Sequence, residues 1–351
     1  MSYGRINNLE ANKQRLIYVD IGKAIAITLM VWGHLVQNDY YKNDLELVKF
    51  IRKVVYSYHM PLFFYLSGIV YKRRSSFKSE LLYRFRKIMI FQYVAIMLVL
   101  TINILMSTVT LADAISAHNI ECTLLCTNGA QVGYWFFGAL FVVEIIAYFI
   151  TLQNSGTQTV MAIVISVIAV EISKILPNSP FHFVTGLECL PFFVLGYLYA
   201  NSKQRIEIEC DSLLIVCCIL LNLFLNYRYS IVSLWNSEVG NPIIFLVRGI
   251  TGIIPIMAIS MHIERLINKL AKFKTLIHII GMSTSYIYVL NGYMVDTLHT
   301  VIKLTQMQKI KGYDWICPIL TLASVALISI LTQSVKSGLL RVHRKSKTIN
   351  N

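Results

Sequence analysis

Ten apolar stretches constrain this chain more than any other feature. They fall at about residues 17–30, 50–71, 88–107, 132–152, 159–176, 184–200, 212–227, 242–261, 277–298 and 315–335. Most come close to the roughly 20 residues that a helix needs to cross hydrocarbon. Within lipid every backbone N–H and C=O must be satisfied inside the segment, so stretches of this kind are helices. Composition agrees: 56% of residues are hydrophobic and 14% charged, against roughly 25% charged in ordinary globular domains, and the mean hydropathy is +0.60. A water-soluble surface cannot be assembled from this, and 12% aromatic residues exclude a disordered chain. The expected fold is all-α, a polytopic membrane protein with about ten transmembrane helices.

Placement of charge sets the expected topology. The net charge is +14, and Lys and Arg gather before residue 16, in 72–87, in 262–276 and in 336–351. With an even number of spans, the positive-inside rule puts both termini in the cytoplasm. The excess therefore reports orientation in a cell membrane, not nucleic-acid binding. The chain divides into a cytoplasmic segment 1–16, one transmembrane domain 17–335 and a basic cytoplasmic tail 336–351. A loop at 299–314, expected outside, carries Lys303, Lys309 and Lys311, and a miscounted span would fall there. Asp20 and Lys23 interrupt the first apolar run, which excludes a signal peptide. Seven cysteines form no CxxC pair, so no metal site is expected. Cys122 and Cys126 are too close for a disulfide to gain much from loop closure.

Ionisable groups inside spans are costly and mark function by default. In the first helix Asp20 and Lys23 share a face, as an interfacial ion pair would. Lys23 and His34, eleven residues apart, share a stripe separated by about 16 Å along the axis. The next span reads Tyr58-His59-Met60-Pro61-Leu62-Phe63-Phe64. Pro61 cannot donate a backbone hydrogen bond, which predicts a kink beside His59 and a polar cavity to satisfy the freed carbonyl. Two histidines in the outer halves of adjacent helices suggest a shared site.

Those motifs carry a resemblance. Arg15, Asp20, Lys23 and Gly33-His34, followed by His59-Met60-Pro61-Leu62-Phe63-Phe64 and Leu66-Ser67-Gly68, resemble the acyltransferase type 3 family of integral membrane acyltransferases. Its fucose-4-O-acetylase-like and polysaccharide O-acetyltransferase branch is the most similar. Tyr134-Trp135-Phe136-Phe137, Leu190-Pro191-Phe192-Phe193 and Ile280-Gly281-Met282-Ser283 follow in the family's order, from about residue 13 to 300. The resemblance implies transfer of an acetyl group from acetyl-CoA to a hydroxyl of a surface or lipid-linked glycan. It implies His34 as the essential residue and Lys23 as the basic residue that helps hold the donor. Asn291 stands where many relatives have histidine.

The chemistry agrees with the resemblance. Attack of an alcohol on a thioester needs a base that titrates near neutrality, and histidine is that side chain. His34 is thus the expected base or acyl carrier, with His59 in support. A polyphosphate donor calls for cations on the cytoplasmic side, and Arg73, Arg74 and Arg86 are candidates beside Lys23, although the positive-inside rule alone also demands such a loop. For the acceptor the candidates are Trp135, Glu144, Glu188, Arg248 and Asn291. Arg248 is expected either to pair with a glutamate or to face the acceptor cavity. Trp135, Trp235 and Trp315 fall near expected outer interfaces, where an aromatic belt accounts for them. A proton-coupled transporter of a small molecule or glycan precursor is the alternative class; paired broken helices in two halves would mark it, and helices 6 and 7 hold no counterpart of the first two.

Overall fold

The computed structural model describes residues 16–37, 46–127, 130, 134–202, 212–267, 271–307 and 316–349. The N-terminal segment and the loop around Lys309 and Lys311, with Trp315, lie outside the described residues. Each of the ten apolar stretches is helical: α1 Ile17–Leu35, α2 Glu46–Ile69, α3 Phe77–Arg84 continuing through a π-helical turn Phe85–Met89 into α4 Ile90–Leu105, α7 Trp135–Ile150, α8 Ser155–Ser173, α9 Phe183–Asn201, α10 Ser212–Arg228, α11 Pro242–Ile267, α12 Ala271–Leu304 and α13 Cys317–Ile349. Two short helices, α5 Leu111–Ala114 and α6 Ala117–Leu125, fill the connection after α4. Among the described residues there is no strand, only an isolated bridge between Ser233 and Glu238.

Among the described residues five segments are long and apolar enough to cross a membrane: 77–105, 155–173, 180–201, 242–267 and 317–336. The chain is an all-α membrane protein. Helices α1 and α2 fall short of that measure because they carry Asp20, Lys23, Arg52 and Lys53, the same residues that make them chemically interesting. Lys303, read from sequence as loop, instead sits in the last turn of α12, which at 34 residues is about 50 Å long and outruns the hydrocarbon. No kink interrupts the helical assignment of α2 at Pro61. The cysteines Cys122 and Cys126 are free thiols.

Helices can approach closely where their side chains vanish. On α2 and α9, a Cβ added at Gly68 would stand 2.0 Å from the Phe193 carbonyl oxygen, and one at Gly196 2.0 Å from that of Tyr65. The two backbones therefore touch reciprocally, the small-residue packing that associates helices in lipid, where apolar burial supplies no driving force. Around this crossing lie Leu62, Phe64, Leu66, Phe192 and Phe193, all fully buried. Helix α1 packs against α2 and α12, and its buried Asp20 meets His278 of α12 at 3.2 Å. The bundle thus has a tight centre and two distinct ends. One carries the basic segment 72–87; the other gathers the C-terminus of α1, the start of α2 and α7, and the connection 229–241.

Candidate active site

The second end holds a cavity of about 560 Å³ lined by His34, His59, Tyr56, Asn103, Trp135, Trp235, Asn291 and Asp296, among others. His34 closes the last turn of α1 and is half-buried; His59, more than a turn after the start of the apolar part of α2, is 5% exposed. The two imidazoles share a neighbour. The Tyr56 ring lies 6.3 Å from that of His34, edge-on, and 4.9 Å from that of His59. Its hydroxyl donates to Gln37 Oε1 at 3.0 Å, and the Arg52 guanidinium caps its face at 4.8 Å. Gly33 makes the arrangement fit, since a Cβ there would stand 2.6 Å from Tyr56 Cε2.

Hydrogen bonding fixes the state of one ring. His59 Nδ1 lies 3.0 Å from the Val55 carbonyl oxygen. A carbonyl only accepts, so Nδ1 carries the proton and Nε2 of the neutral ring keeps its lone pair. Neither nitrogen of His34 has a hydrogen-bond partner among the described residues. Asn291 Oδ1 is also buried without a partner among the described residues. The cavity therefore presents polar atoms that no described protein group satisfies, and a bound hydroxyl can pair with them.

The sequence candidates divide. His34, His59, Trp135 and Asn291 meet in this cavity. Trp135 is only 9% exposed, and with Trp235 it lines the chamber, a position that the aromatic-belt reading did not give them. Glu144, Glu188 and Arg248 do not line it. Glu144 sits at the basic end, where Arg84 bridges it at 2.8 Å and Glu80 at 2.6 Å. Glu188 is sealed inside α9, where its backbone carbonyl accepts from Ser166, and its carboxylate is buried. Arg248 pairs with neither glutamate: its guanidinium donates to Asn226 Oδ1 and, at 3.0 Å, to the Ser230 carbonyl. Neutral acceptors spread along α10 and the next connection hold this cation, and spacing along one helix could not show them. Lys23 is eleven residues before His34 and is not in the cavity lining, and Arg73, Arg74 and Arg86 are exposed at the opposite end. Arg86 and Lys87 are exposed in the π turn, and Arg74 and Lys87 meet over the Tyr83 ring, at 3.9 and 5.8 Å from its centre.

Sequence reasoning missed Tyr56 and His182. The spacing of Tyr56 from His59 was visible, but nothing in one chain segment showed that it separates two histidines. His182, in the turn Pro180–His182, stands between Trp135 and Trp235 at 6.1 and 5.9 Å.

These features define a helical membrane protein with an imidazole-lined chamber at one end of its bundle. Comparison places the chain more narrowly: residues 16–333 match the profile of the acyltransferase 3 family, described as an acyltransferase domain. The chain belongs to that family. It is 29% identical over 208 residues, 57% of its length, to Nodulation protein NolL of Sinorhizobium fredii (strain NBRC 101917 / NGR234), covering 52% of that protein. A Nodulation protein NolL of Mesorhizobium japonicum (strain LMG 29417 / CECT 9101 / MAFF 303099) is 28% identical over 204 residues, 56% of this chain and 51% of the relative. The chain thus spans about half the length of the curated relatives it matches. No solved structure matches it.

Proposed function

We propose that this protein is a membrane O-acetyltransferase that moves acetyl from acetyl-CoA to a hydroxyl of a surface or lipid-linked glycan. The observation that carries the reading is the cavity in which His34 and His59 flank Tyr56, in a chain of the acyltransferase 3 family. His34, with no partner on either nitrogen among the described residues, takes the proton of the acceptor hydroxyl as its oxygen attacks the thioester carbonyl carbon. The tetrahedral intermediate collapses, the C–S bond breaks, and the imidazolium returns the proton to the departing thiolate, giving CoA and the ester. His59, locked with its proton on Nδ1, offers Nε2 to the same chamber as an acceptor that holds the hydroxyl. Transfer through an acetyl-His34 intermediate uses the same atoms in two steps.

The donor nucleotide belongs at the basic end, where Arg73, Arg74 and Arg86 are exposed and can pair with phosphates. Its pantetheine arm then spans the distance from Lys23 toward His34. The same reading makes this end cytoplasmic, both termini cytoplasmic and the protein a multi-pass component of a bacterial cell membrane. His34→Ala is the test. Ester content of the surface glycan, measured by NMR, should fall to background while the protein persists in the membrane fraction; unchanged esters end the assignment.

A further inference from the structure

The aromatic group at the cavity mouth has a construction that the transfer chemistry does not require. Trp135 opens α7, Trp235 sits in the turn Leu234–Asn236, and both line the cavity. Between them stands the buried His182, 1% exposed, its ring 6.1 Å from one indole and 5.9 Å from the other.

The backbone is bent to put it there. Phe181 and His182 both adopt positive φ, at 55° and 49°, a conformation that costs non-glycine residues of the order of 1 kcal/mol each. Gly138 admits the strained turn, because a Cβ there would lie 3.0 Å from the Phe181 carbonyl oxygen. His182 Nδ1 is buried with no partner among the described residues. A structural filler at this point would be apolar and relaxed.

The connection that carries Trp235 is equally fixed. Ser233 and Glu238 exchange both backbone hydrogen bonds, at 3.0 and 2.9 Å. Thr185 ties Ser237 at 2.6 Å, and buried Arg248 holds the Ser230 carbonyl at 3.0 Å. Arg248, excluded above from the cavity, thereby acts on it as an anchor of its roof. Two indoles fixed by a central ring offer flat apolar faces beside the hydroxyl-seeking atoms of Asn103, Asn291 and Asp296. Among the described residues that line this cavity there is no Lys or Arg, whereas there is a carboxylate; the Arg52 guanidinium at the same end lies on the Tyr56 ring.

We propose that the Trp135–His182–Trp235 cluster of tilted rings is the acceptor-binding platform, which takes the C–H face of an uncharged pyranose ring, and that His182 is the positioning residue that holds the two indoles. The proposal rests on the acetyltransferase reading and adds to it the element that recognises the acceptor and the charge of the sugar it takes. Indole faces pack against the apolar side of a sugar ring while its hydroxyls turn to the amides. A uronic acid would bring its carboxylate toward Asp296, and the Arg52 guanidinium at this end is engaged on the Tyr56 ring.

Binding tests this apart from turnover. Purified protein in nanodiscs is titrated with methyl glycopyranosides, uncharged ones and a methyl glucuronide, and read by intrinsic fluorescence, to which only four tryptophans contribute. At least one uncharged glycoside should bind and the glucuronide should bind at least about tenfold more weakly. Trp235→Ala and Trp135→Ala, read by calorimetry because they remove the fluorophore, should each weaken binding by about tenfold or more. His182→Ala should share the loss, and His182→Phe, which keeps a ring between the indoles, should restore most of it. Binding by Trp235→Ala and Trp135→Ala equal to that of the unaltered protein overturns the platform, as does failure of the unaltered protein to bind any uncharged glycoside. Equal binding of the glucuronide overturns the charge assignment, and binding by His182→Ala equal to the unaltered protein removes its positioning role. The acetyltransferase reading fails separately, through normal esters in His34→Ala.

Discussion

Two polar clusters lie at opposite ends of this bundle, and they differ in one respect. At the basic end Arg84 is saturated: it holds Glu80 at 2.6 Å, Glu144 at 2.8 Å and the Lys72 carbonyl at 3.0 Å, with its guanidinium 4.5 Å from the Tyr71 ring. At the other end His34 has no hydrogen-bond partner among the described residues, Asn291 Oδ1 is buried and unsatisfied, and a cavity of about 560 Å³ lies between them. A satisfied buried cluster holds helices together; an unsatisfied one beside open space awaits a ligand. Both clusters place polar side chains inside the bundle, so the presence of a polar group among apolar ones did not by itself separate structure from chemistry.

Substitutions can break this contrast. The largest effect on the protein itself is expected from Arg84→Ala, which leaves two carboxylates buried without their cation, a loss of about 3–5 kcal/mol. Thermal unfolding in detergent should shift far downward and the membrane should contain little protein. The mirror case is His34→Ala, where transfer should fall by about 10²–10⁴-fold at an unfolding temperature close to that of the unaltered protein. If His34→Ala destabilises as Arg84→Ala does, the histidine end is structural too and the contrast is lost.

Smaller changes sharpen the contrast. Gly33→Ala inserts a methyl where Tyr56 Cε2 is 2.6 Å away and must move that ring off its place between the histidines. Transfer should drop by about tenfold with a stability cost of about 1–3 kcal/mol, the range for overpacking, and Tyr56→Ala should remove that added stability cost in the double variant. The smallest effect belongs to the exposed cations. Arg86→Gln should raise the KM for acetyl-CoA by a few-fold, and the deficit should shrink with added salt, because an exposed charge acts through a screened field. An unchanged KM would return that residue to topology alone.

Much of the architecture was legible in sequence for a local reason. The span of an apolar run, the break that Asp20 and Lys23 make in α1, and the register that puts His34 on the stripe of Lys23 are all properties of one segment. The pairing of His34 with His59 was also legible, since a short connection forces α1 and α2 to lie side by side. Glu144, Glu188 and Arg248 were misread because depth along a helix says nothing of the face a neighbour covers. Trp135, read from sequence both as an acceptor candidate and as part of an aromatic belt, could not be decided for the same reason, and His182 drew no notice because its ring contacts are with two tryptophans from other parts of the chain.

By itself, then, the sequence determined that the chain is helical and membrane-embedded, and that two imidazoles stand near one level of adjacent helices; hydrophobic length and helical period are local quantities. The tertiary structure alone decided which polar groups are neutralised and which face open space. That choice depends on rotation about each helix axis, set at contacts such as Gly68 on Phe193 and Gly33 on Tyr56, where the packing partner is remote in the chain or its ring orientation is invisible to spacing.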